Sequence, residues 1–149
     1  MINIKTLELR VVREKSMMYD FESNRLNSPS EAYDMLEAVF HLSDLAEEKL
    51  VMLAVNTKHE VVGAFSVSHG DLKTSIMNPR EILKRALLVN ASGFFLAHNH
   101  PSGDLAPSSE DISATARLKE ACKIMGVDFI DHIIVGNYQY LSLREKALF

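Results

Sequence analysis

The sequence predicts a layered α/β domain in which helices cover the faces of a central β-sheet. Short apolar runs typical of buried strands recur along the chain, and three segments that begin with helix-capping residues lie between them. No internal repeat or low-complexity tract interrupts this alternation. With 149 residues, the chain is long enough for a single compact domain that buries its own core.

A strand and a loop are predicted before the first of these apolar runs. Apolar and polar side chains alternate over residues 2–12, which predicts an early strand, and residues 17–27 predict a connecting loop. We therefore assign residues 1–27 to a lead-in strand and loop, and residues 28–149 to the main domain. That domain opens with a helix at Ser28, because a capping serine precedes a proline and a glutamate follows at the third helical position.

Two hairpins and two further helices follow. Residues 50–55 form a continuous apolar run, and residues 61–68 continue it across a polar turn, which predicts a hairpin. The second helix begins at Asn78, and the apolar run 93–97 predicts a buried strand. A third helix begins at Ser108 and ends at Gly126, a residue suited to a helix C-terminus. The remaining segment predicts a closing hairpin with strands at residues 129–135 and 138–143.

Two histidines at the end of the 93–97 strand suggest a metal site. His98 and His100 are two residues apart, so on a strand their side chains share one face and can reach one ion at about 2.0–2.1 Å. After the turn at residues 101–107, Asp111 lies in the first turn of the third helix, where its carboxylate can supply a third ligand. Three protein ligands leave a fourth zinc position open for water, which is typical of a catalytic site.

Each part of this pattern also has a simpler explanation. A His-x-His pair is more often packed or exposed than bound to metal. Ser108 and Asp111 fit a capping box, which alone would explain both residues. Capping does not account for two histidines directly upstream at the end of a buried strand, and capping and ligation can use different atoms. The combination therefore favours a metal site.

The spacing His-x-His, seven residues, then Ser-x-x-Asp resembles the JAMM (MPN-plus) metalloprotease motif. A longer pattern is similar to the RadC family's version of that domain. It comprises residues 98–104, Pro107, Ser108, Asp111, Thr115, Leu118, Ala121, Gly126 and residues 131–136. The resemblance runs from about Ser28 to the C-terminus. Longer RadC-type proteins carry an N-terminal helix-hairpin-helix region, for which the segment before Ser28 leaves no room.

The resemblance implies a mixed sheet of the JAMM/deaminase-like type and a Zn²⁺ cofactor held by His98, His100 and Asp111. It also implies a glutamate about 50 residues before the first histidine that moves the proton in amide hydrolysis, which here is Glu48. Ser108 resembles the motif serine, which is implied to donate a hydrogen bond to the oxyanion or to the metal water.

Several side chains have alternatives. Glu81 is the second candidate for the proton-transferring residue, although its place at a helix start already explains it. Asp131 and His132 could orient a ligand, but we expect a buried core pair. The single Cys122 is expected to pack in the core. Surface positions are expected for His41, His59 and His69, and turn-shaping roles for Ser102, Gly103 and Asp104.

The overall composition narrows the class of protein. The chain is 47% hydrophobic and 24% charged, as in ordinary globular proteins, and no apolar run approaches the ~20 residues of a membrane helix. The start of the chain does not resemble a signal peptide, so we expect a cytoplasmic protein without a membrane partner. A net charge of −4 provides no basic field for nucleic acid.

The sequence therefore predicts a zinc-dependent metallohydrolase that cleaves peptide or isopeptide bonds in a peptide or protein substrate. The sequence does not determine the oligomeric state, and a homo-oligomer is one of the alternatives. The alternatives are a DNA-repair-associated factor and a non-catalytic interaction module of the RadC family. A zinc deaminase would need the patterns H-x-E and P-C-x-x-C, and neither occurs.

Overall fold

The computed structural model describes residues 17–70 and 77–149. The strand predicted at residues 2–12 lies outside the described residues. The elements, in chain order, are α1 (Pro29–Phe40), a short 3-10 helix (Leu42–Asp44), β1 (Lys49–Val55), β2 (Val61–His69), α2 (Pro79–Leu88), β3 (Gly93–Asn99), α3 (Ser109–Met125), β4 (Asp128–Gly136) and β5 (Gln139–Ser142).

The five described strands form one mixed sheet in the order β2-β1-β3-β4-β5. Strand β1 pairs antiparallel with β2 and with β3, and β4 pairs antiparallel with β5. Strands β3 and β4 are parallel and are connected by α3, which makes a β-α-β crossover. The predicted fold class and both predicted hairpins are therefore confirmed.

The three helices begin at the capping residues that the sequence indicates. The Ser28 hydroxyl accepts a hydrogen bond from the Glu31 N–H at 3.2 Å, and the Asn78 side chain accepts one from the Arg80 N–H at 3.0 Å. Helix α3 ends at Gly126, whose φ of 68° lies in the left-handed region. None of the described helices is long and apolar enough to cross a membrane.

The 3-10 helix is an element that the sequence pattern did not indicate. It begins where His41 takes a left-handed conformation at the end of α1, and the Glu37 carboxylate accepts a hydrogen bond from the Ser43 N–H at 2.8 Å. A single turn of this kind has no apolar periodicity, and a side chain of the preceding helix holds its position.

The core lies on both faces of the sheet because successive residues of β1 and β3 point to opposite sides. One face packs against α1, and its buried side chains include Leu36, Leu42, Val51, Leu53, Phe95 and Ile133. The other face packs against α2 and α3, and its buried side chains include Leu50, Met52, Ile82, Phe94, Leu96 and Leu118. Since Leu96 faces α3, His98 two residues later faces α3 as well.

Candidate metal centre

Three side chains converge where β3 ends and α3 begins. The Nε2 atoms of His98 and His100 are 2.9 Å apart. The Asp111 carboxylate lies 3.5 Å from each histidine, with Oδ1 toward His98 Nε2 and Oδ2 toward His100 Nε2. Within the described part of the chain, this is the one group of histidine, cysteine and acidic side chains that could hold a metal ion.

Local backbone geometry explains why both histidines reach this point. His98 belongs to β3, in register with Leu50 on one side and Ile134 on the other. The backbone N–H of His100, just past the strand, donates to the Val135 carbonyl at 2.8 Å, so the pairing with β4 continues through this residue. The alternation of side chains is preserved, and both imidazoles point toward the start of α3.

Asp111 is held by a capping box. Its backbone N–H donates to the Ser108 hydroxyl at 3.0 Å, and its Oδ2 accepts a hydrogen bond from the Ser108 N–H at 2.8 Å. Oδ2 accepts this capping hydrogen bond, and Oδ1 lies toward His98. The two interpretations of these residues that the sequence left open are thus compatible, since they use different atoms.

Asp111 carries a stable negative charge. Burial acts to raise its pKa, but the imidazoles of His100 and His98 next to the carboxylate and the hydrogen bond from the Ser108 N–H outweigh that effect. Together they hold the pKa of the Asp111 carboxyl well below its usual range. A carboxylate next to two imidazoles is a donor set that zinc accepts.

The pKa of His100 is raised from its ordinary value. The largest cause is the hydrogen bond with the Asp111 carboxylate, followed by the backbone carbonyl of Asp104 and the charges of Asp111 and Glu48, while burial opposes them. The Nδ1–H of His100 donates to the Asp104 carbonyl at 2.6 Å, which directs Nε2 toward the other two side chains. The polar neighbours of His100 therefore favour a cation at this point more than burial opposes it.

The geometry of the three donors fits a zinc ion. Tetrahedral coordination at 2.0–2.1 Å places two ligand atoms about 3.3–3.4 Å apart. The two Nε2 atoms are 2.9 Å apart and Asp111 Oδ1 is 3.5 Å from His98 Nε2, and one donor atom from each of the three residues lies within 4.8 Å of the others. The donor set and these separations fit the metal that the family resemblance implies.

The two candidate glutamates differ in their surroundings. Glu48 directly precedes β1, its carbonyl accepts a hydrogen bond from the Gly70 N–H at 2.9 Å, and its charge acts on His100. Glu81 lies at the start of α2 and forms ion pairs with Lys84 at 2.5 Å and Arg85 at 3.3 Å. Lys84, and then Arg85, lower the pKa of Glu81. The charge of Glu48 thus acts on one of the three converging side chains, whereas Glu81 pairs with cations of α2.

Ser108 occupies the position that the motif gives it, next to the converging side chains. Its hydroxyl oxygen accepts the capping hydrogen bond from Asp111. The hydroxyl also contributes to a lowered pKa of Glu110, after the larger effects of the Glu110 backbone N–H and the Ser109 hydroxyl. Capping is the role that these contacts establish, and hydrogen bonding to an oxyanion stays a prediction.

Asp131 and His132 are both buried and hydrogen-bonded, as expected, but they have different partners. Asp131 accepts hydrogen bonds from the Ser142 hydroxyl at 2.5 Å and the Arg144 N–H at 3.1 Å. His132 Nε2 instead lies 2.8 Å from His98 Nδ1. Consecutive residues of β4 point to opposite faces of the sheet, which separates the two side chains.

Burial shifts the pKa values of these two side chains in opposite directions, because it disfavours the charged form of each. It raises the pKa of the Asp131 carboxyl and lowers the pKa of the His132 imidazole well below its ordinary value. His132 is therefore a neutral, buried neighbour of a candidate ligand. No local pattern in the sequence signals this contact, because it depends on the pairing of β4 with β3.

Three further side chains complete the surroundings of the site. Asn99, between the two histidines, points to the opposite face and binds the backbone of Lys49 and Glu47. Thr115 lies within 2.7 Å of His132 Nδ1. As predicted, three histidines outside the site are exposed: His41, His59 and His69.

The turn between β3 and α3 also behaves as predicted, with one addition. Gly103 adopts a left-handed φ of 82°, and its N–H donates to the His100 carbonyl at 2.9 Å. Asp104 shapes the turn through its side chain, which accepts a hydrogen bond from the Ala106 N–H at 3.0 Å. Its carbonyl in addition binds the imidazole of His100.

The fold and these three converging side chains define a mixed α/β domain with a candidate metal centre at the end of a buried strand. Comparison with protein families agrees with this fold, because the RadC-like JAB domain matches residues 26–148. The chain belongs to the RadC-like JAB domain family.

Curated relatives support this assignment. The chain is similar to a UPF0758 protein of Clostridium beijerinckii, with 42% identity over 124 residues, which cover 83% of this chain and 53% of the relative. A UPF0758 protein of Staphylococcus haemolyticus is 37% identical over 137 residues, which cover 91% of this chain and 59% of the relative. The chain thus spans little more than half the length of the relatives that it matches.

Proposed function

We propose that the protein is a zinc-dependent hydrolase that cleaves peptide or isopeptide bonds. The observation that carries this proposal is the convergence of two histidine Nε2 atoms and one carboxylate at the end of β3, in a RadC-like JAB domain. Two imidazoles and a carboxylate are a ligand set of known catalytic zinc sites.

His98, His100 and Asp111 would hold the zinc ion and leave its fourth position open. When bound there, zinc supplies a Lewis acid that polarises a carbonyl and lowers the pKa of a water molecule from 15.7 to about 7. The lowered pKa of Asp111 favours the charged carboxylate that a metal ligand needs.

Glu48 is the residue that we propose to move the proton. It would accept a proton from the attacking water and deliver it to the leaving amine, which requires a carboxylate within hydrogen-bond reach of both. Its influence on the pKa of His100 supports a position near the metal. Glu81 is a poorer base, because its ion pairs with Lys84 and Arg85 stabilise the deprotonated form.

Ser108 would donate a hydrogen bond to the oxygen of the scissile carbonyl as charge develops on it. Donors of this kind typically contribute about 2.7–4 kcal/mol of transition-state stabilisation. Ser108 caps the N-terminus of α3, and the positive end of the helix dipole acts in the same direction.

The substrate that we propose is a polypeptide rather than a nucleic acid. A net charge of −4 gives the chain no general basic field for a phosphate backbone. The names of the relatives state no activity, so the bond that is cleaved has to be found by experiment.

Metal analysis of protein purified without chelator tests the site, and profiling against a library of peptides and isopeptide-linked conjugates tests the reaction. We expect close to one zinc ion per chain. The double variant His98→Ala/His100→Ala should lose zinc and hydrolysis but keep its circular dichroism, because the domain has its own core. The matched control is His59→Asn, which changes an exposed histidine with a left-handed φ of 63° to a residue that tolerates that conformation.

Two outcomes would contradict the proposal at different points. Stoichiometric zinc in the double variant would exclude the site. Stoichiometric zinc in the wild-type protein without cleavage of any conjugate would exclude the reaction and favour a non-catalytic interaction module.

A further inference from the structure

We propose that His132 and Thr115 are positioning residues that fix the proton of His98 on Nδ1 and so reserve Nε2 for the metal. This inference rests on the proposed metal centre, but the protonation pattern can be measured without the metal. It follows from the assignment of one proton to each of three consecutive short contacts.

The first contact joins Thr115 to the backbone of its own helix. Its hydroxyl oxygen lies 2.6 Å from the carbonyl oxygen of Asp111. A carbonyl oxygen has no proton, so the Thr115 hydroxyl must donate here. The side chain is fully buried, so this contact is protected from exchange with water.

The second contact joins Thr115 to His132. Their Oγ1 and Nδ1 atoms are 2.7 Å apart. Because the only hydroxyl proton of Thr115 is already directed at Asp111, the imidazole must donate through Nδ1–H. His132 is 0% exposed, and such burial disfavours a charged ring. A neutral ring has one N–H, so Nε2 of His132 carries a lone pair.

The third contact joins His132 to the candidate ligand. His132 Nε2 lies 2.8 Å from His98 Nδ1. An acceptor at His132 Nε2 requires a donor at His98, so His98 carries its proton on Nδ1. Its Nε2 lone pair then faces His100 and Asp111, which is the orientation that a metal ligand needs.

The two histidine ligands thus have the same protonation pattern but different supports. His100 donates through Nδ1 to the backbone carbonyl of Asp104, which a side-chain substitution at residue 104 does not remove. His98 depends on two side chains, His132 and Thr115. The affinity for metal is therefore sensitive to substitutions at residues 115 and 132, although neither residue is one of the three candidate ligands.

Nuclear magnetic resonance of the metal-free and the zinc-loaded protein tests the pattern directly. Long-range proton–nitrogen correlations distinguish Nδ1–H from Nε2–H in each of the six histidines, and single histidine variants assign the signals. We expect Nδ1–H for both His98 and His132 in the wild-type protein. An Nε2–H form of His98, or a doubly protonated His132, at neutral pH would overturn the inference.

Zinc affinity, measured by competition with a chromophoric chelator, gives an independent readout. Thr115→Val and His132→Leu should each weaken binding about 10–100-fold, as is typical when the partner of a ligating histidine is removed. Thr115→Ser keeps the hydroxyl, and His132→Gln offers a carbonyl oxygen in place of Nε2, so both should bind within about threefold of wild type. Wild-type affinity in folded Thr115→Val and His132→Leu would contradict the inference.

The two proposals fail in different ways. A wild-type protein that does not bind zinc would exclude the metal centre, whereas the protonation of His98 would still confirm or contradict the role of His132. If His132→Leu does not fold, Thr115→Val and the spectra of the wild-type protein decide the matter.

Discussion

The side-chain oxygen of Asn99 accepts a hydrogen bond from the backbone N–H of Lys49 at 2.8 Å. The amide group of the same side chain donates to the Glu47 carbonyl at 3.0 Å. These contacts lie on either side of Glu48, and Asn99 itself lies between the two candidate ligands and is only 1% exposed. One buried side chain therefore fixes the proposed proton carrier relative to the strand that bears the histidines.

Asn99→Leu should separate catalysis from metal binding. Without the two hydrogen bonds, the segment around Glu48 loses its fixed position, and we expect hydrolysis to fall at least about tenfold, since misplaced catalytic groups are costly. Zinc content should stay near that of wild type, because Asn99 points away from the ligands. The matched control is Asn56→Leu, which removes a similar side-chain clamp on the turn between β1 and β2. Full hydrolysis by Asn99→Leu would show that Glu48 does not need this support.

Glu48→Gln should abolish most of the hydrolysis and leave zinc in place. The substitution keeps the size of the side chain and removes the base, and general acid–base catalysis typically contributes about 10²–10⁴-fold. Glu81→Gln is the matched control, because it removes a carboxylate that binds Lys84 and Arg85 on the surface of α2. Zinc content and hydrolysis rate, measured on the same preparations, decide between them. If Glu81→Gln is inactive and Glu48→Gln is active, the roles of the two glutamates are reversed.

Gly136→Ala should weaken zinc binding through the turn that supports His100. A Cβ atom at residue 136 would lie 3.1 Å from both the Cα and the carbonyl oxygen of Gly103. The backbone of the turn would have to move, and overpacking of this kind costs about 1–3 kcal/mol. The adjacent Asp104 carbonyl, which binds the His100 imidazole, would move with it. We expect a several-fold loss of zinc affinity in chelator competition.

The control for this prediction is Gly126→Ala at the end of α3. A Cβ atom there has no neighbour within 4 Å, but the φ of 68° makes the substitution unfavourable by about 1–2 kcal/mol. Both variants should be less stable toward denaturant, whereas only Gly136→Ala should bind zinc more weakly. Equal zinc affinities in the two variants would show that the position of the turn does not affect the site.

Cys122 should react slowly with thiol reagents in the folded protein. The side chain is buried, and burial, assisted by the charge of Asp128, raises the pKa of its thiol to about 11. At pH 8 the reactive thiolate would be about two hundredfold less abundant than for a free cysteine with a pKa near 8.5. Labelling by a disulfide reagent should therefore be more than about 100-fold slower in buffer than in denaturant. The chain has a single cysteine, so the labelling signal comes from this residue alone. Equal labelling rates in buffer and in denaturant would contradict the packing of α3.

The elements that the sequence predicts correctly are those set by local interactions. The cap at Ser28, the left-handed Gly126 and the apolar run of β1 depend on residues close in the chain. The convergence of His98, His100 and Asp111 is also local, because the three lie within one strand, one turn and the start of one helix.

The contacts of His132 and Asn99 could not be predicted in the same way. They join residues 34 and 50 positions apart in the chain. His132 reaches His98 only because α3 returns the chain to a strand parallel to β3, and the register of that pairing is not encoded in either strand alone. Asn99 binds the segment before β1 only because β1 is the other neighbour of β3. Sheet order decides both contacts, and sheet order is a property of the whole domain.

The capping box of α3 has a consequence for the way in which an ion is taken up. The two hydrogen bonds between Ser108 and Asp111 immobilise the carboxylate as soon as the helix forms, before any cation arrives. The ligand is preorganised, so its rotational entropy is lost during folding and is not lost again on association. We infer that loading the site changes the chain little beyond the side chains that touch the ion, and that the domain behaves as a rigid receptor.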